Sequence, residues 1–226
     1  MTETTQATCP ICGAIHETKT VVINDKPKTG LICPTCFDNA AMERDEAERA
    51  EQLAGREQLY LHLCPPLFRE TDPFRLDQEK LQDVLSWTYG PKGLLLVGPT
   101  DRGKTRMAFL LLKRLILAGR DVAVFDCASF AHKASELFGE GKGRGQAWVK
   151  GLSAIDVLFF DDIGKNPMTE RAEAEFYTVV DRRTTHMLPI IGTTNMTGVQ
   201  LKAKTSEDRG APLVRRLREF CEIVSF

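Results

Sequence analysis

Residues 98–105 read GPTDRGKT and residues 157–164 read VLFFDDIG, and these two segments restrict the fold more than any other part of the chain. The first is a G-x-x-x-x-G-K-[ST] loop. In that spacing the backbone N–H groups cradle phosphate oxygens, the lysine reaches the outer phosphates and the hydroxyl faces a magnesium ion. GLLLVG before the loop is a short apolar run, as a buried parallel strand requires, and TRMAFLLLKRLILAG after it is a helix closed by Gly119. Strand, glycine-rich loop and helix together put phosphates on a helix N-terminus. The second segment is an apolar strand ending in two carboxylates.

The residues divide into roles by their chemistry. Gly98, Pro99, Thr100, Asp101, Arg102, Gly103, Lys104, Thr105 and Arg106 are expected to enclose the phosphates of ATP. Thr105 and Asp161 are the expected Mg²⁺ ligands, and Asp162 is the base or water-positioning group for attack on the terminal phosphate. Asp101 and Arg102 stand where glycine and a small residue are common. A carboxylate beside a triphosphate is unfavourable, so both side chains are expected to point outward and leave the cradle to the backbone.

Four of the seven cysteines are clustered. Cys9-Pro-Ile-Cys12 and Cys33-Pro-Thr-Cys36 are separated by 20 residues, the spacing of a zinc ribbon. Four thiolates leave no open coordination position, so a structural Zn²⁺ is expected rather than a catalytic one. KTVVIND and KTGLI between the pairs supply two short strands but little core, so the metal would supply the folding energy. His16 is the only histidine inside this segment. Cys64, Cys127 and Cys221 lie singly among apolar residues and read as core.

Net charge is −1, so no global field announces a nucleic-acid partner. No apolar run approaches the roughly 18–20 residues of a membrane span, and nothing at the N-terminus resembles a signal peptide, so the expected location is cytoplasmic with no membrane partner. The charge is unevenly spread. Residues 1–62 carry ten Asp/Glu against six Lys/Arg, and the remainder is mildly basic.

The chain reads as three parts: a ribbon over 1–39, a charged helix and Pro-rich linker over 40–77, and a nucleotide domain over 78–226. Residues 1–8 are polar and expected to be disordered. Three prolines in CPPLFRETDPFRLD, 64–77, predict an extended lead-in. Strands are expected near 93–97, 121–126, 155–161, 188–193 and 221–226 with helices between, an α/β series with a five-stranded parallel sheet. The stretch GEGKGRGQ is expected to be flexible and basic, with Lys142 and Arg144 near Lys133 and Lys150. It suits a phosphate backbone or, more plainly, a solvated loop.

Thr193-Thr194-Asn195 ends the fourth strand of this series and APLVRRLREF precedes the last. With CPPLFR, GLLLVGPT, VLFFDDIG, FYTVVDRR and IIGTTN, this set resembles AAA+ ATPases of the DnaC/IstB type, over about residues 64–226. The resemblance implies an AAA+ P-loop NTPase. It assigns Asn195 to the polar sensor position and Arg216 to an arginine finger through which subunits self-associate, with Arg215 the alternative. It implies a replicative helicase loader that binds a DnaB-type helicase and single-stranded DNA and switches with ATP. The same motifs fit a transposition helper of the IstB type, and the unusual loop fits a nucleotide-binding adaptor with little catalysis.

Overall fold

The computed structural model describes residues 4–23, 26–139 and 143–226. They form two compact units, one up to Gly55 and one from Arg56 onward.

In the first unit β1 (Thr4–Thr8), β2 (Ile15–Ile23) and β3 (Lys26–Thr29) form an antiparallel sheet in that order. The first eight residues are therefore not all irregular, as their polarity suggested. Thr4 pairs with Lys19 and Thr8 with Ile15, because the first Cys pair folds the chain back. The Cys9 N–H donates to the Ala14 carbonyl at 2.8 Å and the Gly13 N–H to the Cys9 carbonyl at 2.9 Å. β-branched threonines suit the strand this turn creates. Helix α1 (Pro34–Leu63) starts inside the second Cys pair, earlier than the charged pattern indicated. Pro34 opens it, a position where the missing N–H costs nothing.

In the second unit the lead-in is folded rather than extended. It holds helix α2 (Pro66–Arg69) and a 3₁₀ turn at Pro73–Arg75 before helix α3 (Gln78–Ser86). Pro66 and Pro73 sit at first helical positions, where their fixed φ favours a helix. Asp72 accepts from the Phe74 N–H, and Asp77 accepts from those of Glu79 and Lys80.

The sheet then follows: β4 (Gly93–Val97), α4 (Lys104–Leu117), β5 (Val122–Asp126), α5 (Cys127–Gly139), α6 (Arg144–Leu152), β6 (Val157–Asp161), α7 (Glu170–Thr185), β7 (Ile190–Thr194), α8 (Gly198–Lys204), α9 (Glu207–Phe220) and β8 (Cys221–Ser225). All five strands are parallel, in the order β5-β6-β7-β4-β8. Side chains alternate between two cores. Leu94, Leu96 and Phe159 pack with α3 and α4, while Leu95, Leu158 and Phe160 pack with α5, α6 and α7. The chain leaves β4 for the far edge and returns through β6 and β7. The sheet therefore has a switch point beside β4, and a crevice opens at the strands' C-terminal ends. No helix among the described residues is long and apolar enough to cross a membrane.

Arg183 of α7 is the largest fully buried side chain. Its two terminal nitrogens donate to the carbonyls of Leu152, Ile155, Asp156 and Pro189 at 2.7–3.0 Å. Burial pushes its pKa down to about 10, which leaves it charged at neutral pH. The fork thus fastens the approaches to β6 and β7. Arg183→Met should lower unfolding free energy by roughly 3–5 kcal/mol, because four carbonyls lose their donor together. Arg183→Lys should recover only part of that, since an ammonium cannot present two forks. Urea unfolding of the three proteins measures both effects.

Candidate nucleotide and metal sites

The phosphate loop leaves β4 through Gly98, whose N–H donates to the Thr194 carbonyl at 3.2 Å. Asp101 has φ 61 and Gly103 φ 81. Asp tolerates this left-handed backbone better than most residues. That φ is what calls for glycine at Gly103, while a Cβ there would lie 2.9 Å from Leu76 Cδ2 and displace the end of that side chain. Asp101 and Arg102 are both exposed and line the cavity described below.

Lys104 is 5% exposed and turns back onto its own loop. Its Nζ donates to the Gly98 carbonyl at 2.9 Å, the Pro99 carbonyl at 2.6 Å and Asn195 Oδ1 at 2.8 Å. Burial lowers its pKa, and the charges of Asp162, Asp161 and Asp101 oppose that shift.

Asp161 ends β6, and Thr193 of β7 sits beside it. The hydroxyls of Thr193, at 2.5 Å, and of Thr105, at 2.9 Å, both donate to Asp161 Oδ1. Burial raises the pKa of Asp161, and these two hydroxyls work against it. A partly buried carboxylate with a hydroxyl across from it fits a divalent cation, which would supply the charge the crevice withholds.

Asp162 has φ 53, a conformation that costs a non-glycine residue roughly 1–2 kcal/mol. It is held by its N–H to Thr193 Oγ1 at 2.9 Å and by the Cys127 thiol on its carbonyl at 3.4 Å. One carboxylate oxygen faces Asn195 Nδ2 at 3.4 Å, and the other accepts from Lys165 Nζ at 2.6 Å. Lys104, Asn195, Asp162 and Lys165 therefore form one polar chain.

These groups line a cavity of about 1070 Å³. Loop residues Thr100–Arg106 with Asp162, Lys165 and Asn195 form one wall, and lead-in residues from Pro66 to Lys80 form the other. Arg106 joins the walls. It donates to the Leu67 carbonyl and to Thr71 Oγ1, and its guanidinium lies 5.6 Å from the Phe68 ring centroid.

The Sγ atoms of Cys9, Cys12, Cys33 and Cys36 all lie within 4.8 Å of one another, with Cys12 and Cys33 at 3.6 Å. Tetrahedral zinc with Zn–S near 2.3 Å spaces its sulfurs about 3.8 Å apart. Backbone N–H groups of Cys33 and Cys12 bring the Cys9 thiol down to about 6, while hydrogen bonds with Cys12 and Cys33 push Cys36 up to about 12. Four thiols packed this closely resist full ionisation unless a cation joins them, so the donor set fits Zn²⁺. His16 is not part of the group.

The profile of the family described as "IstB-like ATP binding protein" matches residues 67–226. The chain belongs to that family. YdaV of Escherichia coli (strain K12), described as uncharacterized, is 26% identical over 110 residues, 49% of this chain and 44% of its own length. The IstB-like fold matches the crystal structure of DnaI with TM-score 0.56 at 16% identity, covering 74% of this chain and 93% of DnaI. It matches the DnaC helicase loader at 0.54 and 22% identity, covering 66% and 86%. AMPPCP-bound DnaA from Aquifex aeolicus matches at 0.56 and 19% identity, covering 70% and 48%. The chain thus spans less than half the length of YdaV and of that DnaA. These likenesses agree with an AAA+ P-loop fold, and the four-cysteine group precedes it in the chain.

Other sequence expectations fall differently. Arg216 on α9 lies outside the cavity; its Nη2 donates to Asp181 Oδ1 at 2.6 Å, and its neighbour Arg215 is exposed. Lys142 lies outside the described residues. Arg144 begins α6 rather than lying in a loop, and Gly145 packs against Phe138, where a Cβ would sit 2.5 Å from the ring. Lys133 pairs with Glu136 at 3.1 Å. Sequence reasoning missed Lys165 as part of the crevice and Thr193 as the link between the two carboxylates. Elemental analysis should find one Zn²⁺ per chain, held by the four cysteines. Chelation should unfold the three-stranded sheet, read as loss of protease resistance in the first unit.

Proposed function

We propose that the chain is an ATP-dependent helicase loader acting in DNA replication, which binds a DnaB-type replicative helicase and single-stranded DNA. One observation carries the reading. A complete phosphate loop with a two-carboxylate strand occurs in an IstB-like domain whose fold spans 86% of the DnaC helicase loader and 93% of DnaI. The charge distribution supports a division of labour. The acidic first 62 residues suit a protein partner, and the mildly basic remainder suits DNA. The location that accompanies this reading is the cytoplasm.

In this reading the loop backbone from Gly98 to Arg106 holds the phosphates, and Lys104 exchanges the Gly98 and Pro99 carbonyls for phosphate oxygens. Thr105 and Asp161 would hold Mg²⁺, which when bound neutralises charge between the outer phosphates. Asp162 and Asn195 orient the attacking water. Cys9, Cys12, Cys33 and Cys36 hold a structural Zn²⁺.

Lys104→Ala should weaken ATP binding roughly 10- to 100-fold, the worth of charged hydrogen bonds lost to a buried ligand. Asp162→Asn should keep binding and slow hydrolysis by about 10²–10⁴. Calorimetry and phosphate release measure the two. Wild-type affinity in Lys104→Ala would remove the site assignment. The function itself is tested by co-purification with a replicative helicase, with and without ATP. The family match favours a second reading, a transposition helper of the IstB type, and capture of a transposase in place of a helicase would select it.

Arg216 is the proposed finger to a neighbouring subunit's nucleotide, and Asp181 is the partner it leaves on assembly. Arg216→Ala should preserve nucleotide binding by isolated subunits and suppress hydrolysis. Mixing it with Asp162→Asn should restore part of the rate at mixed interfaces. If Arg215→Ala carries the loss instead, the finger is one residue earlier.

A further inference from the structure

Six cations among the described residues line the nucleotide cavity, and four of them make no hydrogen bond or ion pair with Asp162 or Asn195. Arg75 pairs with Asp72 and Lys80 with Asp83. Arg106 is tied to the Leu67 carbonyl and Thr71, and Arg102 lies exposed on the loop. Only Lys104 and Lys165 touch the polar group made by Asp162 and Asn195. Lys104 is buried with three acceptors. Lys165 is its opposite, with a side chain 60% exposed and a single acceptor, Asp162 Oδ2, at 2.6 Å.

The backbone under Lys165 is fixed. Asp162 and Lys165 close a turn through the Lys165 N–H and the Asp162 carbonyl at 3.0 Å. The Ile163 N–H donates to the Thr193 carbonyl at 2.8 Å, and the Ile163 side chain is buried. Gly164 has φ 84, and a Cβ there would lie 2.8 Å from Leu201 and 2.9 Å from Met196. The hydrogen-bonded turn thus sets the position of Lys165, and its exposed side chain is the adaptable part of this corner.

We infer that Lys165 distinguishes a nucleoside triphosphate from a diphosphate in this crevice, resting on Asp162 when no terminal phosphate is present and passing to that phosphate when one is. The inference rests on the reading of the crevice as an ATP site. A terminal phosphate carries more charge and more acceptor oxygens than one carboxylate, so it outcompetes Asp162 for a mobile ammonium. The exchange also opens Asp162. With Lys165 in place both carboxylate oxygens are engaged, one by Asn195 and one by Lys165. Once the ammonium leaves, Oδ2 can accept from a water. Recognition of the triphosphate and release of the water-orienting carboxylate are then the same event, and a diphosphate triggers neither.

The test is calorimetric titration of the full chain with ADP and with AMPPCP, for wild type, Lys165→Gln and Lys165→Arg. Lys165→Gln should weaken AMPPCP by about tenfold and leave ADP within about twofold, because only the triphosphate reaches this side chain. Lys165→Arg should keep most of the wild-type preference. Thermal melts of the free proteins show that the variants fold. An unchanged AMPPCP-to-ADP ratio in Lys165→Gln, or equal weakening of both nucleotides, overturns the inference and leaves the nucleotide site standing. Wild type that binds neither nucleotide removes the reading of the crevice and the inference with it.

Discussion

Two adjacent carboxylates at the mouth of a buried strand set the terms for the whole crevice. Asp161 and Asp162 repel each other, and burial raises the cost of ionising Asp161. The surroundings answer with donors from three separate elements. Thr105 comes from the phosphate loop, Thr193 from the adjacent strand and Lys165 from the turn beyond. Each is placed by backbone that is itself fixed, so the charge pair dictates the identity of residues on β6, β7 and α4 at once. Thr193 is the economical solution. A single hydroxyl accepts from the Asp162 N–H and donates to Asp161.

That arrangement needs β6 and β7 in register, and the register is secured away from the site. Arg183 reaches carbonyls before β6 and before β7. A buried guanidinium is a poor source of net stability, but one with four carbonyl acceptors specifies a single geometry. Asp181, two residues earlier on the same helix, binds Arg216 of α9. The run Asp181-Arg182-Arg183 on α7 therefore points one charge into the protein and another towards α9, the helix proposed to face a neighbouring subunit.

The elements legible in the sequence were those whose signal is local. Each strand of the parallel sheet is an apolar run between polar turns, and each was placed within two residues. The four cysteines were legible because ligand spacing is a covalent constraint. What stayed hidden depends on contacts between distant residues. Thr4–Thr8 is polar and becomes a strand only because the first Cys pair returns β2 against it. The proline-rich lead-in reads as extended, yet Asp72 and Asp77 cap its later turns, and Arg106, far along the chain, ties Leu67 and Thr71. Lys165 is one lysine among many until Gly164 turns it back onto Asp162. The glycines of GKGRG signalled flexibility, whereas Gly145 is small because Phe138 occupies the space.

Within the crevice both lysines have acceptors and both carboxylates have donors. Binding is therefore an exchange of partners, and its net free energy is the difference between two well-paired states. A group with three acceptors at 2.6–2.9 Å, such as Lys104, gives up part of what phosphate oxygens return to it. It anchors phosphates without discriminating strongly between nucleotides. An exposed group with one acceptor gives up less, so its gain depends on whether the incoming ligand reaches it. On the inference drawn above, discrimination between nucleotide states falls to Lys165 at the rim and not to the buried lysine. A switch built this way can tell two nucleotides apart with only a small movement of one side chain, while the sheet and its carboxylates stay in place.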